Sequence, residues 1–275
     1  MRVPEITDVP ADAPGLSGAA VPGRPSRLLQ ALTILLGLDE HRCPACGMPV
    51  SGADCAKTAE PLLRARMRAC GLCADCARAL PPLSGARCRS CGLSLPGPAG
   101  GRQLCGDCLH RPPPWQALAL CGDYGGRLRQ LILRFKHGGR PALAFLLAGM
   151  LLEAAACLPL PDVIVPVPQH PKHLFRRGYN QAHELAVALG LQLDLPVRPL
   201  LRRTKEVPPQ TGLPAALRRR NPVGSFCAPA LEGLHLWLVD DIITTGSTLR
   251  TAAEALRAAG ARRVDVLALA RTPLP

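Results

Sequence analysis

Aromatic side chains are scarce in this chain of 275 residues: four Phe, two Tyr and two Trp make up 3% of it. The core therefore has to be assembled from Leu, Ala and Val, and stacking of a nucleic-acid strand on interleaved rings is not supported. Acids are outnumbered too, 20 Asp and Glu against 33 Lys and Arg, which leaves a formal charge of +13. Such an excess favours anionic partners, whether phosphorylated metabolites, nucleic acid or an acidic surface, and it equally describes a basic solubilising surface. A run able to cross a bilayer is missing. The most apolar stretch, "PALAFLLAGMLLEAAACLPLP" from Pro141, is interrupted by Glu153 and by prolines. It reads as a buried helix, so no membrane insertion is expected. The opening "MRVPEITDVPADAPG" has acids and prolines where an export leader needs an apolar centre, and a cytoplasmic location is expected. There the 13 cysteines are not expected to form disulfides, and metal ligation is their more natural use.

What is present falls into three parts. Residues 1–40 read as a flexible arm rich in Pro, Gly and Ala, with a short amphipathic helix over 26–38. Residues 41–111 carry paired cysteines amid Gly and Pro without continuous apolar periodicity, and a region so poor in core needs a staple. Prolines 112–114 stiffen the junction. Residues 115–275 alternate strand and helix signals. Strands are expected over 117–124, 162–168, 234–239 and 262–270. Helices are expected over 126–138, 141–157, 180–190 and 249–259, with Gly190 and Gly260 closing the last two. Cys121, Cys157 and Cys227 in this part read as small core residues. The alternation implies an α/β fold with a mainly parallel sheet and right-handed crossovers.

Four C-x₂-C pairs occur, Cys43/Cys46, Cys73/Cys76, Cys88/Cys91 and Cys105/Cys108. Two pairs make one tetrahedral four-thiolate zinc site, so chain order gives one site at 43/46/73/76 and another at 88/91/105/108. Cys70 lies three before Cys73, so Cys70/Cys73 is an alternative second pair, and Cys55 is left over. Redox dithiols or an iron–sulfur cluster are rival uses. Zinc is favoured because paired knuckles in a core-poor region need a structural metal, and a site closed by four thiolates has no open position for chemistry.

The sharpest signal is "LVDDIITTGST" over 238–248. Ligands of open α/β sheets sit at the carboxyl ends of strands, where Asp240 and Asp241 fall. The turn that follows runs into a helix, and its free N–H groups make an anion site. Gly246 permits close approach, and the hydroxyls of Thr244, Thr245, Ser247 and Thr248 can donate to phosphate. Carboxylates beside a phosphate would repel it, unless they face sugar hydroxyls. A phosphorylated ribose satisfies both halves. An ordinary capped helix start accounts for one Asp and one Ser, but not for two acids and four hydroxyls around one Gly. The stretch lacks the lysine of a Walker loop and the spaced glycines of a dinucleotide fingerprint.

This stretch resembles the phosphoribosyl pyrophosphate signature of type I phosphoribosyltransferases. The cysteine pairs, "PPPWQAL", "LILRFKHGG", "IVPVP", "FRRGYNQAHELA", "LRRRNPVGSF" and "VDDIITTGSTL" together resemble the ComF/GntX family, over roughly five-sixths of the chain. The resemblance implies a type I phosphoribosyltransferase-like domain over 115–275, preceded by a zinc-ribbon module over 41–111. It implies that Asp240 and Asp241 hold the ribose hydroxyls, directly or through Mg²⁺, and that Ile243, Thr244, Thr245, Gly246, Ser247 and Thr248 form the 5′-phosphate loop. Val167, Pro168 and Gln169 would match the pyrophosphate loop. Family members often carry Thr shortly before the position of Gln210, where this chain has "TKEVPPQ". Arg176, Arg177, Arg202, Arg203 and Lys205 are the candidates to face the leaving group, Arg203 as a catalytic one, in basic segments that fit a loop folding over a ligand. A bare exposed basic loop is the rival reading. Lys136 in "RFKHG" either reaches the site or is a solvated helix end.

Two functional classes follow. The first is a transferase for phosphoribosyl pyrophosphate, whose acceptor no residue pattern names. The second is a non-catalytic role in competence and DNA uptake, binding single-stranded DNA or a competence protein, with the pocket as a sensor. A homodimer is the assembly that the resemblance suggests. The cysteine arithmetic is directly testable: metal analysis of the purified chain should return two zinc atoms, whereas a single atom would leave 88/91/105/108 as the only site.

Overall fold

Strands 117–123 (β3), 163–166 (β4), 235–243 (β7) and 263–271 (β8) form one sheet in the order β3-β8-β7-β4. All three pairings are parallel in this computed structural model. It describes residues 41–51, 57–60, 67, 70–80, 83, 85–97, 103–138, 141–169, 174, 178–203 and 226–273. The arm before residue 41 and the helix expected at 26–38 lie outside the described residues, as does Cys55. The strands are apolar on both sides because both faces are covered. Helices 126–138 (α3), 141–154 (α4) and 181–193 (α5) share a core with Ile164, Trp237, Val239, Leu267 and Leu269. Helix 247–258 (α6) packs on the other side against Val163, Val165, Leu236, Leu238, Val264 and Val266. Its expected face of Leu249, Ala252, Ala253 and Leu256 is fully buried. The outer edge of β4 is not left open: Ile164 bonds to Pro196 and Arg198 of the passing chain.

The cysteine-rich region is built from short pieces: strands 41–42 (β1) and 49–50 (β2), helices 74–78 (α1) and 106–110 (α2), and two similar knuckles. In one, Cys43 N–H donates to Met48 and Gly47 to Cys43; in the other, Cys88 donates to Leu93 and Gly92 to Cys88. Gly92 has φ +72, and a Cβ there would lie 2.8 Å from Leu120 and 3.1 Å from Leu118, so this knuckle rests directly on β3. Residues 41–275 form one compact unit. Across the proline junction, Trp115 Nε1 donates to Ser90 O (2.8 Å), and Arg87 makes two bonds to Asp123 (2.7 and 2.8 Å). Two more strands, 202–203 (β5) and 226–227 (β6), pair antiparallel.

Three expectations change. The strand expected over 234–239 runs to Ile243, so both aspartates are strand residues and not the start of a loop. Cys157 and Cys227 are exposed, while Cys121 is buried as expected. Gly190 does not end its helix. The helix continues to Leu193 and closes on Asp194, which takes the left-handed conformation at φ 55°. Gly190 is needed for a different reason: a Cβ there would sit 2.6 Å from Val197 Cγ2 and 2.8 Å from the Leu195 carbonyl oxygen. The chain leaving α5 folds back over that point to line β4. Mid-helix Gly→Ala normally gains about 1 kcal/mol. Here the clash with backbone reverses the sign, so Gly190→Ala is expected to lower the urea-unfolding free energy by about 1–3 kcal/mol.

Candidate functional site

The carboxyl end of β7 carries Asp240 and Asp241, both half-buried, where the parallel strands end. Asp241 Oδ2 lies 2.7 Å from Lys136 Nζ, with about the same small exposure on each side chain, 14% and 13%. Lys136 thus belongs to the site and is not a solvated helix end. Its place on α3 is set by Phe135, whose ring meets Tyr179 edge-on with centroids 6.2 Å apart and whose carbonyl accepts the Tyr179 hydroxyl. Asp240 Oδ1 accepts the Asp241 N–H at 2.8 Å. Burial, followed by the charge of Asp241, pushes the Asp240 carboxyl up to about 7, although Lys136 and Arg203 pull the other way. Two acids held this closely do not both ionise readily without further positive charge. The donor set therefore fits a hard cation such as Mg²⁺, which takes oxygen ligands and is commonly shared with a phosphate-bearing ligand.

The turn after β7 has the features that suit an anion. Gly246 takes φ 77° and caps α6 without a side-chain bond. Thr244, Thr245 and Ser247 are exposed and Thr248 half-buried. Thr245 and Ser247 hydroxyls are 2.9 Å apart, and Arg250 N–H closes the first helical bond on Gly246 O at 2.9 Å. The N–H groups of Thr248 and Leu249 find no acceptor among the described residues. Such orphaned first-turn donors suit a phosphate. Ile243 is buried in the core beneath the turn, its carbonyl accepting Thr272 N–H.

Two further parts face the aspartates. Val167 is buried and donates to Val239 O at 2.9 Å, which ties the chain after β4 to β7. Asn180 caps α5 by accepting Ala182 N–H (3.0 Å) and donates to Val167 O (3.1 Å). Gln169 donates to Gln181. Arg203 on β5 donates to Pro168 O at 3.0 Å, lies 4.9 Å from the Phe226 ring centroid and acts electrostatically on Asp240. Arg202 beside it is exposed. Asp240, Asp241, Arg203, Pro168 and the 244–248 turn thus converge at the strand ends. Arg176, Arg177, Lys205 and Gln210, with the rest of the basic loop, lie outside the described residues. Three clefts of 410, 530 and 290 Å³ occur elsewhere, around the cysteine region, β3, α3 and α4, and none includes either aspartate.

The thiols assemble as chain order suggests: Cys43, Cys46, Cys73 and Cys76 in one group and Cys88, Cys91, Cys105 and Cys108 in another, sulfurs within 4.8 Å of one another. Cys70 is in neither group. Cys46 and Cys73 sulfurs are 3.7 Å apart, and Cys91 and Cys105 sulfurs 3.6 Å. Tetrahedral zinc with Zn–S bonds of about 2.3 Å requires about 3.8 Å. Burial raises the Cys43 thiol, but N–H groups of Cys73, Cys46 and Ala45 aimed at the sulfur outweigh it and hold it at about 7. In the second group burial likewise raises Cys88, and N–H groups of Cys105, Cys91 and Ser90 hold it at about 7. Burial and neighbouring sulfurs push Cys76 and Cys108 far up, so the thiol groups call for a cation. Behind Cys91 sits Arg271, 5% exposed, whose Nε and Nη1 have no hydrogen-bond partner among the described residues. A buried guanidinium there complements a four-thiolate metal site, which carries net negative charge. Donor chemistry, spacing and this cation all fit zinc.

Residues 177–273 match the family described as phosphoribosyl transferase domain. The chain is 39% identical over 187 residues to DNA utilization protein YhgH of Salmonella typhi, covering 64% of this chain and 81% of that one. It is 38% identical over 176 residues to the protein of that name in Escherichia coli (strain K12), covering 61% and 78%. It is 37% identical over 180 residues to Competence protein F of Haemophilus influenzae, covering 62% and 79%. No helix among the described residues is long and apolar enough to cross a membrane.

The raised Asp240 carboxyl has a measurable consequence. Its folded value of about 7 lies above the ordinary 3.8, so ionisation costs the fold nothing below pH 4 and its full penalty above pH 7. Asp240→Asn is therefore expected to match the wild type in stability near pH 4 and to exceed it by up to about 4 kcal/mol at pH 8. Urea unfolding across this range, without divalent cations, reads the difference, and a gap independent of pH would contradict the assignment.

Proposed function

The chain belongs to the ComF/GntX family, and we propose that it binds phosphoribosyl pyrophosphate with Mg²⁺ at the ends of β7 and β4. The carrying observation is the adjacency of two half-buried acids and a turn with orphaned N–H donors, two chemistries that a phosphorylated ribose satisfies together. In this reading the 244–248 turn and the start of α6 hold the 5′-phosphate. Asp240 and Asp241 take the ribose hydroxyls, directly or through the metal. Lys136 pairs with Asp241 and orients its carboxylate. Val167 and Pro168 border the pyrophosphate, and Arg203, held on the Pro168 carbonyl, stands beside them. Arg176, Arg177, Arg202 and Lys205 supply further positive charge to the leaving group.

Such a pocket is suited to displacement at the anomeric carbon. The bond from C1 to pyrophosphate breaks, an acceptor supplies the new bond, and charge on the departing pyrophosphate is met by cationic side chains. The acceptor is the open half of this proposal. Full turnover is read by pyrophosphate release on incubation with Mg²⁺ and a panel of amines, bases and acids.

Calorimetry with phosphoribosyl pyrophosphate tests the binding half. Binding should require Mg²⁺ and should weaken by about tenfold per pH unit below 7 as Asp240 takes up its proton. Replacing both Asp240 and Asp241 with Ala should abolish it while leaving two zinc atoms in place. Unchanged binding by that variant would overturn the proposal.

A second reading is favoured by the names of the relatives, DNA utilization protein and Competence protein F, and by the charge of +13. Here the protein contacts DNA phosphates during uptake, and the sugar-phosphate pocket serves as a sensor. Direct DNA binding should then fall steeply with salt, by about 10³-fold or more between 50 and 200 mM if six phosphates are contacted. Affinity that is undetectable or insensitive to salt would remove direct DNA contact from the reading.

A further inference from the structure

Arg250 lies in the first turn of α6, three residues beyond the Ser247 hydroxyl of the phosphate cradle. Its side chain turns away from the cradle. Nη1 donates to Pro112 O and Nη2 to Arg111 O, each at 2.8 Å. Those carbonyls directly follow helix α2, which begins after Cys105, contains Cys108 and has Arg111 as its C-cap. The C-cap carbonyl of a helix has no intrahelical partner, and a guanidinium that bridges it to the next carbonyl satisfies both acceptors. Burial lowers the Arg250 pKa, and the charge of Arg111 adds to this, while Glu254 and Cys108 oppose it. Nothing in the proposed sugar-phosphate chemistry requires this arrangement.

Helix α2 is five residues long and has no side-chain N-cap bond. A helix so short does not persist by itself in water. Its anchors are Cys105 and Cys108, two members of the second thiolate group. The partner knuckle is held by Trp115, which donates to Ser90 O, and it rests on β3 through Gly92. Metal in the 88/91/105/108 site therefore fixes the position of the carbonyls that Arg250 grips.

We propose that Arg250 is a positioning residue that couples metal occupancy of the second cysteine site to affinity at the phosphate cradle. Zinc fixes α2, α2 presents the Arg111 and Pro112 carbonyls, and the two bonds from Arg250 hold the first turn of α6 where its free N–H groups converge. Loss of the metal releases α2, and the cradle loses its outer support. The inference rests on the sugar-phosphate reading given above.

Calorimetry with ribose 5-phosphate and Mg²⁺ tests it, on the full chain loaded with zinc or stripped by a chelator. Arg250→Met keeps the stem and removes both donors, and Arg250→Lys keeps the charge and restores one. Arg250→Met should retain two zinc atoms and bind ribose 5-phosphate about tenfold more weakly, the scale of two charge-assisted hydrogen bonds acting indirectly. Arg250→Lys should recover part of the loss. Stripping zinc should weaken the wild type by tenfold or more and weaken Arg250→Met by about tenfold less than that, since both changes break the same link. A merely structural residue would give losses that add. Additive losses, or a variant that binds as the wild type does, overturn the coupling and leave the pocket intact. A zinc-loaded wild type that binds neither ribose 5-phosphate nor phosphoribosyl pyrophosphate overturns the pocket and the coupling together.

Discussion

Two carboxylates on consecutive residues of a buried parallel strand repel each other and lose solvation, and the surroundings of the site are arranged around that penalty. Lys136 answers it from α3 by a direct bond to Asp241, and Arg203 answers from β5 through its field on Asp240. Both cations are themselves positioned by polar contacts. Tyr179 holds the carbonyl of Phe135 next to Lys136, and Pro168 holds the Arg203 guanidinium. The compensation is incomplete, since Asp240 still sits near 7. The remaining deficit of positive charge is what the proposed Mg²⁺ would meet at the strand end.

At the opposite end of the sheet a buried charge is fully answered. Asp265 has no exposure, and Arg263 Nε lies 2.8 Å from it and His235 Nε2 2.9 Å. His235 N–H in turn donates to Asp162. Breaking one member of such a set leaves the others unpaired in a low dielectric. This network fixes the starts of β7 and β8, so the register that brings Asp240 level with Ala268 is set from the end where no ligand is proposed.

Arginine recurs where the cysteine-rich region meets the sheet and its helices. Arg134 on α3 donates to Ala45 O within the first knuckle, Arg250 on α6 grips the end of α2, and Arg271 on β8 stands behind Cys91. Part of the net charge is thus used internally, against helix carbonyls and thiolate sulfur. A guanidinium suits this because it spans two acceptors and keeps its charge when buried.

Spacing alone was enough for the parallel α/β class, the second thiolate group and the order of acids, turn and helix around 238–248, whereas the choice of Cys76 over Cys70 in the first thiolate group came only with the fold. The legible parts rest on short-range spacing: alternating apolar runs, C-x₂-C turns, and a Gly among hydroxyls. The α6 face of Leu249, Ala252, Ala253 and Leu256 was legible for the same reason. Long-range placement was not legible. Lys136 stands 105 positions before Asp241 in "RFKHG", with nothing local to distinguish a site lysine from a solvated one. Nothing near Arg250 or Arg271 in the sequence points to α2 or to Cys91, beside which the fold sets them. Gly190 carries a helix-stop signal that its tertiary surroundings overrule, because the close approach of Val197 needs a missing side chain and not a change of direction. Local chemistry is written in neighbouring residues, whereas which charge answers which is decided only when the parallel sheet brings distant segments to the same edge.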